Sequence, residues 1–366
     1  MAEKSLWGEA FRSSLGNWRI SILLLIPGAV ALEVFHAHPV AIFAVAAAAL
    51  IPLASLLGDA TEELAGYVGP ALGGLLNATL GNATELIIAF LALRSGHVEV
   101  VKASITGSII GNLLLVFGLA VLVGAMGRDK QTFSRVAVGA NASMLFLAVV
   151  ALVMPAIFDL AVFGKLEESG EIIERLSLWT AVILLVSYAA SLVFTFKTHK
   201  DVFRGESHHT PTIRRNTAVV VLAVATALIA VASEILVGQI EFVTRSLGWT
   251  ELFVGLVIVA TVGNAAEHST AVIVARKNQM DLALTIAVGS STQIALFVAP
   301  LLVVASQFMA TPMSLVFHPL EIAAVIFSVG IVTLIGQDGE TNWFEGLQLL
   351  SVYAILAVFI FFLPGA

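Results

Sequence analysis

The sequence predicts an all-α integral membrane protein of eleven transmembrane helices, built as one extra helix plus two inverted five-helix repeats. Three observations predict it. Of the 366 residues, 59% are apolar and only 12% charged, where soluble chains carry roughly 45–50% and 25%. Mean hydropathy is +1.00, and the apolar residues come in long runs without the ten-residue alternation of a membrane barrel. A polar five-residue motif then recurs 182 positions later. Together these exclude a soluble globular chain and a disordered one.

Each apolar run must close its backbone hydrogen bonds within the bilayer, so each reads as a helix. The first six fall at Ile20–Phe35, Pro39–Leu57, Val68–Leu93, Val100–Met126, Val136–Ile157 and Leu176–Phe196. The other five fall at Thr217–Val243, Leu252–Ala275, Leu282–Phe308, Leu320–Ile335 and Trp343–Leu363. The first run carries Pro27 and Glu33 and lacks a small-residue cleavage signature, so it reads as a retained span rather than a signal peptide. With the N-terminus in the cytosol, 13 of the 18 Lys and Arg residues fall on inner segments, as the positive-inside rule favours. The most basic segment, 197–216, divides the chain. Residues 1–38 are then the N-terminus and first helix, 39–196 the first repeat and 217–366 the second.

The chain contains no cysteine, which excludes disulfides, thiolate metal sites and cysteine nucleophiles. No basic stripe with interleaved aromatics suggests nucleic acid. The run Glu167, Glu168, Glu171 and Glu174 reads as a solvated surface helix, and His208-His209 as loop residues.

At the 182-residue shift, Gly81-Asn82-Ala83-Thr84-Glu85 falls on Gly263-Asn264-Ala265-Ala266-Glu267. Gly73, Gly107, Ser108 and Arg94 fall on Gly255, Gly289, Ser290 and Arg276. Five helices per unit is an odd number, so the second unit enters the membrane upside down. Inverted repeats mark alternating-access carriers, with the substrate site at the midplane between the units. A carboxylate there costs roughly 2.5–3.5 kcal/mol on insertion scales. Two at equivalent positions therefore point to function, against the alternative of acids hydrogen-bonded across the interface. Asn82 and Asn264 sit three residues before their glutamates, on the same helix face. The preceding glycine invites a break whose free carbonyls carry partial negative charge. Carboxylates, amide oxygens and carbonyls are the hard ligands that calcium takes. In the following helices Ser108 shares a face with Asn112, and Ser290 with Gln293. They are either further ligands or interhelical glue. His268, without a counterpart in the first repeat, is either a proton-transfer partner of Glu267 or a packed histidine. Asp59, Glu62, Glu63, Glu234, Glu241 and Glu251 read as acids that focus cations at the two mouths or as ordinary helix ends.

Gly73–Glu85 and Gly263–His268 resemble the paired signatures of the cation/proton exchanger family, the Ca²⁺/H⁺ antiporters of the calcium:cation antiporter superfamily. The resemblance covers nearly the whole chain. It implies eleven helices, a metal site at Glu85, Glu267, Asn82, Asn264, Ser108, Asn112, Ser290 and Gln293, and alternate binding of calcium and protons by the two glutamates. The Gly-Thr-Ser-type sequence of the related Na⁺/Ca²⁺ exchangers is absent. Two carboxylates with one Ca²⁺ sum to zero charge, as do two protonated carboxyls. The empty pair carries −2 in a dry place and is costly. Such a carrier crosses loaded with either ligand, which is coupled antiport. The expectation is therefore a transporter, not an enzyme, that exports cytosolic calcium for protons, with no cofactor. It lies in a lipid bilayer, as a multi-pass protein of a prokaryotic cell membrane. Alternatives of the same architecture are an H⁺-coupled Na⁺/K⁺ antiporter and a Na⁺/Ca²⁺ exchanger. Whether copies assemble into a homo-oligomer is left open.

Overall fold

The computed structural model describes residues 24–68, 70–164, 170–198 and 211–363. Eleven helical segments follow one another where hydropathy places them. They are α1 (Leu25–Val34), α2 (Pro39–Val68), the broken pair α3a (Pro70–Leu80) and α3b (Ala83–Arg94), α4 (Val98–Gly124), α5 (Arg135–Phe163) and α6 (Glu171–Thr198). Then come α7 (Arg215–Val237), the broken pair α8a (Glu251–Gly263) and α8b (Ala265–Arg276), α9 (Met280–Ser306), α10 (Pro319–Ile335) and α11 (Trp343–Phe361). Among the described residues, seven helices are long and apolar enough to cross a membrane unaided, and α3a with α3b, bent by about 41°, makes one broken span. The first four residues of the expected first helix lie outside the described residues. Two departures stand out. The expected helix through Val243 stops at Val237, and after Gly238 a short amphipathic helix, Ile240–Leu247, turns away and meets α8a at 117°. A two-residue antiparallel pairing joins Gln131–Thr132 to Glu340–Thr341.

Hydrogen bonds sort the connections onto two faces. On one, Arg128 donates to the Arg276 carbonyl, the Ser134 amide to Asp281, and Lys130 pairs with Glu340. On the other, Arg94 pairs with Glu234, His97 with Glu251, and the Leu315 amide donates to Ser177. The connection 95–97 thus lies on the Glu251 face and its repeat counterpart, 277–279, on the Arg276 face, so the units are inverted.

The repeat holds to the residue near the middle of the chain. α3b and α8b are both 12 residues long and start 182 apart. Both are followed by a tight turn whose second residue has positive φ, Gly96 (+86°) and Asn278 (+64°). α4 and α9 also start 182 apart, and each contains a π-helical stretch, Gly111–Val116 and Ile294–Val298. Wider turns of this kind gather at functional positions because they leave backbone groups out of the regular ladder. α4 is the most enclosed helix, with residues 100–114 all buried, so its polar groups must find protein partners.

Candidate ion-binding site

The two helix breaks form the centre of the molecule. Asn82 and Asn264 leave helical geometry (φ −96°, ψ 18° and φ −90°, ψ 7°) and stand at the N-cap positions of α3b and α8b. Asparagine is a strong N-cap, worth about 1 kcal/mol when its side chain bonds the first turn. Neither makes that bond. Each reaches across to the other repeat instead. Asn82 donates to Gln293 Oε1 at 2.5 Å and accepts from the Ser290 hydroxyl at 3.1 Å. Asn264 donates to Ser108 Oγ at 2.8 Å and accepts from Asn112 at 3.1 Å. The Asn82, Asn264, Ser108, Asn112 and Ser290 side chains are all buried.

This cross-bracing is nearly symmetric. Ser108 and Ser290 are repeat equivalents, but Gln293 corresponds to Gly111 and Asn112 to Ile294. One unit supplies a longer amide one residue earlier, and the other a shorter amide one residue later.

Glu85 and Glu267 are the third residues of their half-helices, where the helix dipole favours a negative charge. Each lies against the glycine of the opposite break. A methyl group on Gly263 would stand 3.1 Å from Glu85 Cγ, and one on Gly81 would stand 3.8 Å from Glu267 Oε1. Both oxygens of Glu85, one of Glu267 and Oδ1 of Asn112 are buried acceptors without a donor. Such groups cost free energy unless something electropositive satisfies them. A small cavity touches Glu85, Ser104, Ser108, Val259 and Ala260. Among the described residues no three His, Cys, Asp or Glu side chains come together, so the arrangement offers two acids among neutral oxygens. That suits a hard cation held in passing, charge-balanced by the two carboxylates.

Of the expected residues, the structure brings Glu85, Glu267, both asparagines, both serines, Asn112 and Gln293 together. His268 lies half-buried beside Glu267 and takes no part in these hydrogen bonds. The flanking acids are engaged elsewhere. Glu63 accepts from the Thr212 amide (2.7 Å), the Thr212 hydroxyl (2.6 Å) and the Ile213 amide (3.2 Å). Glu234, Glu241 and Glu251 pair with Arg94, Arg245 and His97. Glu171 pairs with Arg175, four residues on, while Glu167, Glu168 and His208-His209 lie outside the described residues.

The sequence reading missed Glu321, fully buried at the start of α10, where it accepts from Thr106 Oγ1 at 2.6 Å and from the His318 amide at 3.0 Å. Lys102, on α4, is likewise buried, 3.4 Å from Glu99. The spacing of His318 and Glu321 is that of a capping box, a signal that could have located the acid.

Fold and site define a class: an inverted-repeat ion carrier whose two units each give one acid and one asparagine to a shared centre. The sodium/calcium exchanger protein family matches residues 38–197 and 217–362, and the chain belongs to that family, one of membrane transporters rather than enzymes. It is 45% identical to a Ca²⁺/H⁺ antiporter of Aphanothece halophytica, over 94% of this chain and 96% of that one. It is 43% identical to the Ca²⁺/H⁺ antiporter ChaA of Bacillus subtilis, over 92% and 97%. The solved structure of native YfkE matches with a TM-score of 0.81 and 41% identity, over 93% of this chain and all of that one.

Proposed function

We propose that the protein is a Ca²⁺/H⁺ antiporter in which Glu85 and Glu267 bind calcium and protons alternately. The observation that carries this reading is the set of four buried, donorless oxygens on Glu85, Glu267 and Asn112 at the junction of the repeats. Calcium satisfies them with two positive charges. Two protons balance the same charge and leave the other oxygens to water. Asn82, Asn264, Ser108, Ser290, Asn112 and Gln293 hold the two half-helices in register and lend neutral oxygens to the ion. The empty, doubly ionised site is the costly state, so loaded forms cross and the empty form does not. His268 serves as a neighbour through which protons reach Glu267.

The units 39–196 and 217–366 rock about this centre, joined by the basic segment 197–216. The Arg276 face, which carries Arg128, Lys130 and Lys277, is cytosolic by the positive-inside rule. The protein then sits in a prokaryotic cell membrane and exports calcium at the expense of the proton gradient, as the names of its bacterial relatives imply.

The test is ⁴⁵Ca²⁺ uptake into inverted vesicles driven by an imposed pH gradient or an imposed Na⁺ gradient alone. Uptake with the pH gradient that a protonophore abolishes is expected. Uptake that ignores the protonophore and follows Na⁺ would replace this reading with sodium/calcium exchange at the same site.

A further inference from the structure

Each helix break hangs from a helix of the other unit. Asn82, between α3a and α3b, is braced by Ser290 and Gln293 of α9. Asn264, between α8a and α8b, is braced by Ser108 and Asn112 of α4. Glu85 and Glu267 each follow three residues after their asparagine. The separation of the two acids therefore follows the separation of α4 and α9.

Those two helices start from opposite faces and cross in the interior. At the crossing the Ser291 hydroxyl of α9 donates to the Ile109 carbonyl of α4 at 3.3 Å, sharing its proton with the Ala287 carbonyl of its own helix at 3.0 Å. Ser291 and Ile109 stand 182 positions apart, which makes each the repeat counterpart of the other. A residue that touches its own counterpart lies on the axis relating the two units. Both are buried, Ser291 completely. The residues immediately before them, Ile109's Ser108 and Ser291's Ser290, carry the braces to the two asparagines. The π-helical stretches begin just beyond, at Gly111 and Ile294.

The crossing is symmetric in place and not in chemistry, since serine stands in one unit where isoleucine stands in the other. The serine side chain meets a backbone oxygen of α4, so its size and its hydrogen bond decide how closely the helices approach. Valine there would replace the hydroxyl by a carbon and add a second, neither able to bond the carbonyl, and the helices would stand further apart. Divalent cations differ by only a few tenths of an ångström in the oxygen distances they take, ~2.3–2.6 Å for calcium and ~2.0–2.1 Å for magnesium. A small change in helix spacing is enough to favour one over another.

We propose that Ser291 is a specificity-determining spacer. By fixing how far α9 stands from α4 it sets the distance between Glu85 and Glu267, and with it the size of divalent cation that the pair accepts. It acts through its neighbours on the two helices and not by touching the ion. The proposal rests on the calcium site proposed above and adds what selects among cations there.

Competition between Ca²⁺ and Sr²⁺, the next larger ion of the same group, for the purified protein tests it. The readout is the ratio of the two dissociation constants, which does not depend on how much of a preparation is folded. Ser291→Val should move the ratio about tenfold toward strontium, and Ser291→Ala, which lets the helices close, about threefold toward calcium. Thr292→Val is the control. Thr292 is buried too, but its hydroxyl donates to the Val288 carbonyl of its own helix, and its variant should keep the wild-type ratio. A ratio unchanged in Ser291→Val, or moved equally by Thr292→Val, would overturn the proposal while calcium binding stands. A wild-type protein that binds neither cation would remove the calcium reading itself, and the spacer with it.

Discussion

The segments 82–117 and 264–299 are nearly the same structure twice, with equal half-helices, matching turns and π-helical stretches of six and five residues that overlap in the repeat register. The segments 57–68 and 239–250 occupy equivalent places and share almost nothing. The first continues α2 as one helix to Val68, while the second breaks after Gly238 into the short helix that meets α8a at 117°. The first end is pinned by Glu63, with three donors from Thr212 and Ile213, and by Tyr67 Oη, which donates to the Ile213 carbonyl at 2.5 Å. The second end carries Glu241 and Arg245 as an exposed pair. On the function proposed above, symmetry is kept where an ion is met by equal halves and lost where one face must differ from the other at any moment.

The sharpest way to break this comparison is at its centre. If the halves contribute equally, Glu85→Gln and Glu267→Gln should each abolish calcium exchange in vesicles, since the amide keeps the shape but loses the charge. Wild-type exchange by either variant would show that only one half carries the ion. The next effect lies outside the symmetric region. Glu321→Ala removes a fully buried carboxylate that accepts from the Thr106 hydroxyl and the His318 amide and should cost about 1–3 kcal/mol, read as a loss of folded protein in a detergent melt. A smaller effect is expected among the neutral residues proposed as ligands. Asn112→Ala and Gln293→Ala each remove one oxygen and one cross-repeat hydrogen bond, about 1–2 kcal/mol. The apparent calcium constant from initial rates at fixed pH should rise roughly tenfold with transport retained. Equal effects from the two would mean that their one-residue offset is immaterial. Complete inactivity of both in a folded protein would mean that they do more than coordinate.

What was legible in the sequence follows the same division. Glu85 and Glu267 stood out because charge is rare in these runs, and the glycine before each asparagine announced the breaks. The pairing of Asn82 with Ser290 and Gln293 was not legible, because spacing places residues on a helix face without saying which helix that face meets. Val237 was not legible as an end either. Gly238-Gln239 and Glu241 interrupt the apolar run, but Ile240, Phe242 and Val243 resume it, so hydropathy alone joins the two helices. Glu321 was not legible as a buried acid, because its partner Thr106 lies 215 positions away and no local pattern connects the two.

The smallest expected effect concerns the turns after α3b and α8b, where the symmetry is one of backbone and not of residue. Gly96 and Asn278 both hold left-handed conformations, at φ +86° and +64°. Glycine adopts that region freely, and asparagine is among the few other residues that tolerate it. Asn278→Gly should therefore fit without strain, yet lower stability by about 0.5–1 kcal/mol, because glycine leaves the unfolded chain more freedom to lose. Gly96→Asn should cost less than that, since a side chain there would meet nothing within 4 Å. Gly96→Val should cost more than either, because a branched Cβ resists positive φ. Melting curves of the three purified variants give the order, and exchange should be unchanged in all of them. If Gly96→Asn loses exchange at wild-type stability, the turn does more than reverse the chain, and the two halves differ even where their backbones agree.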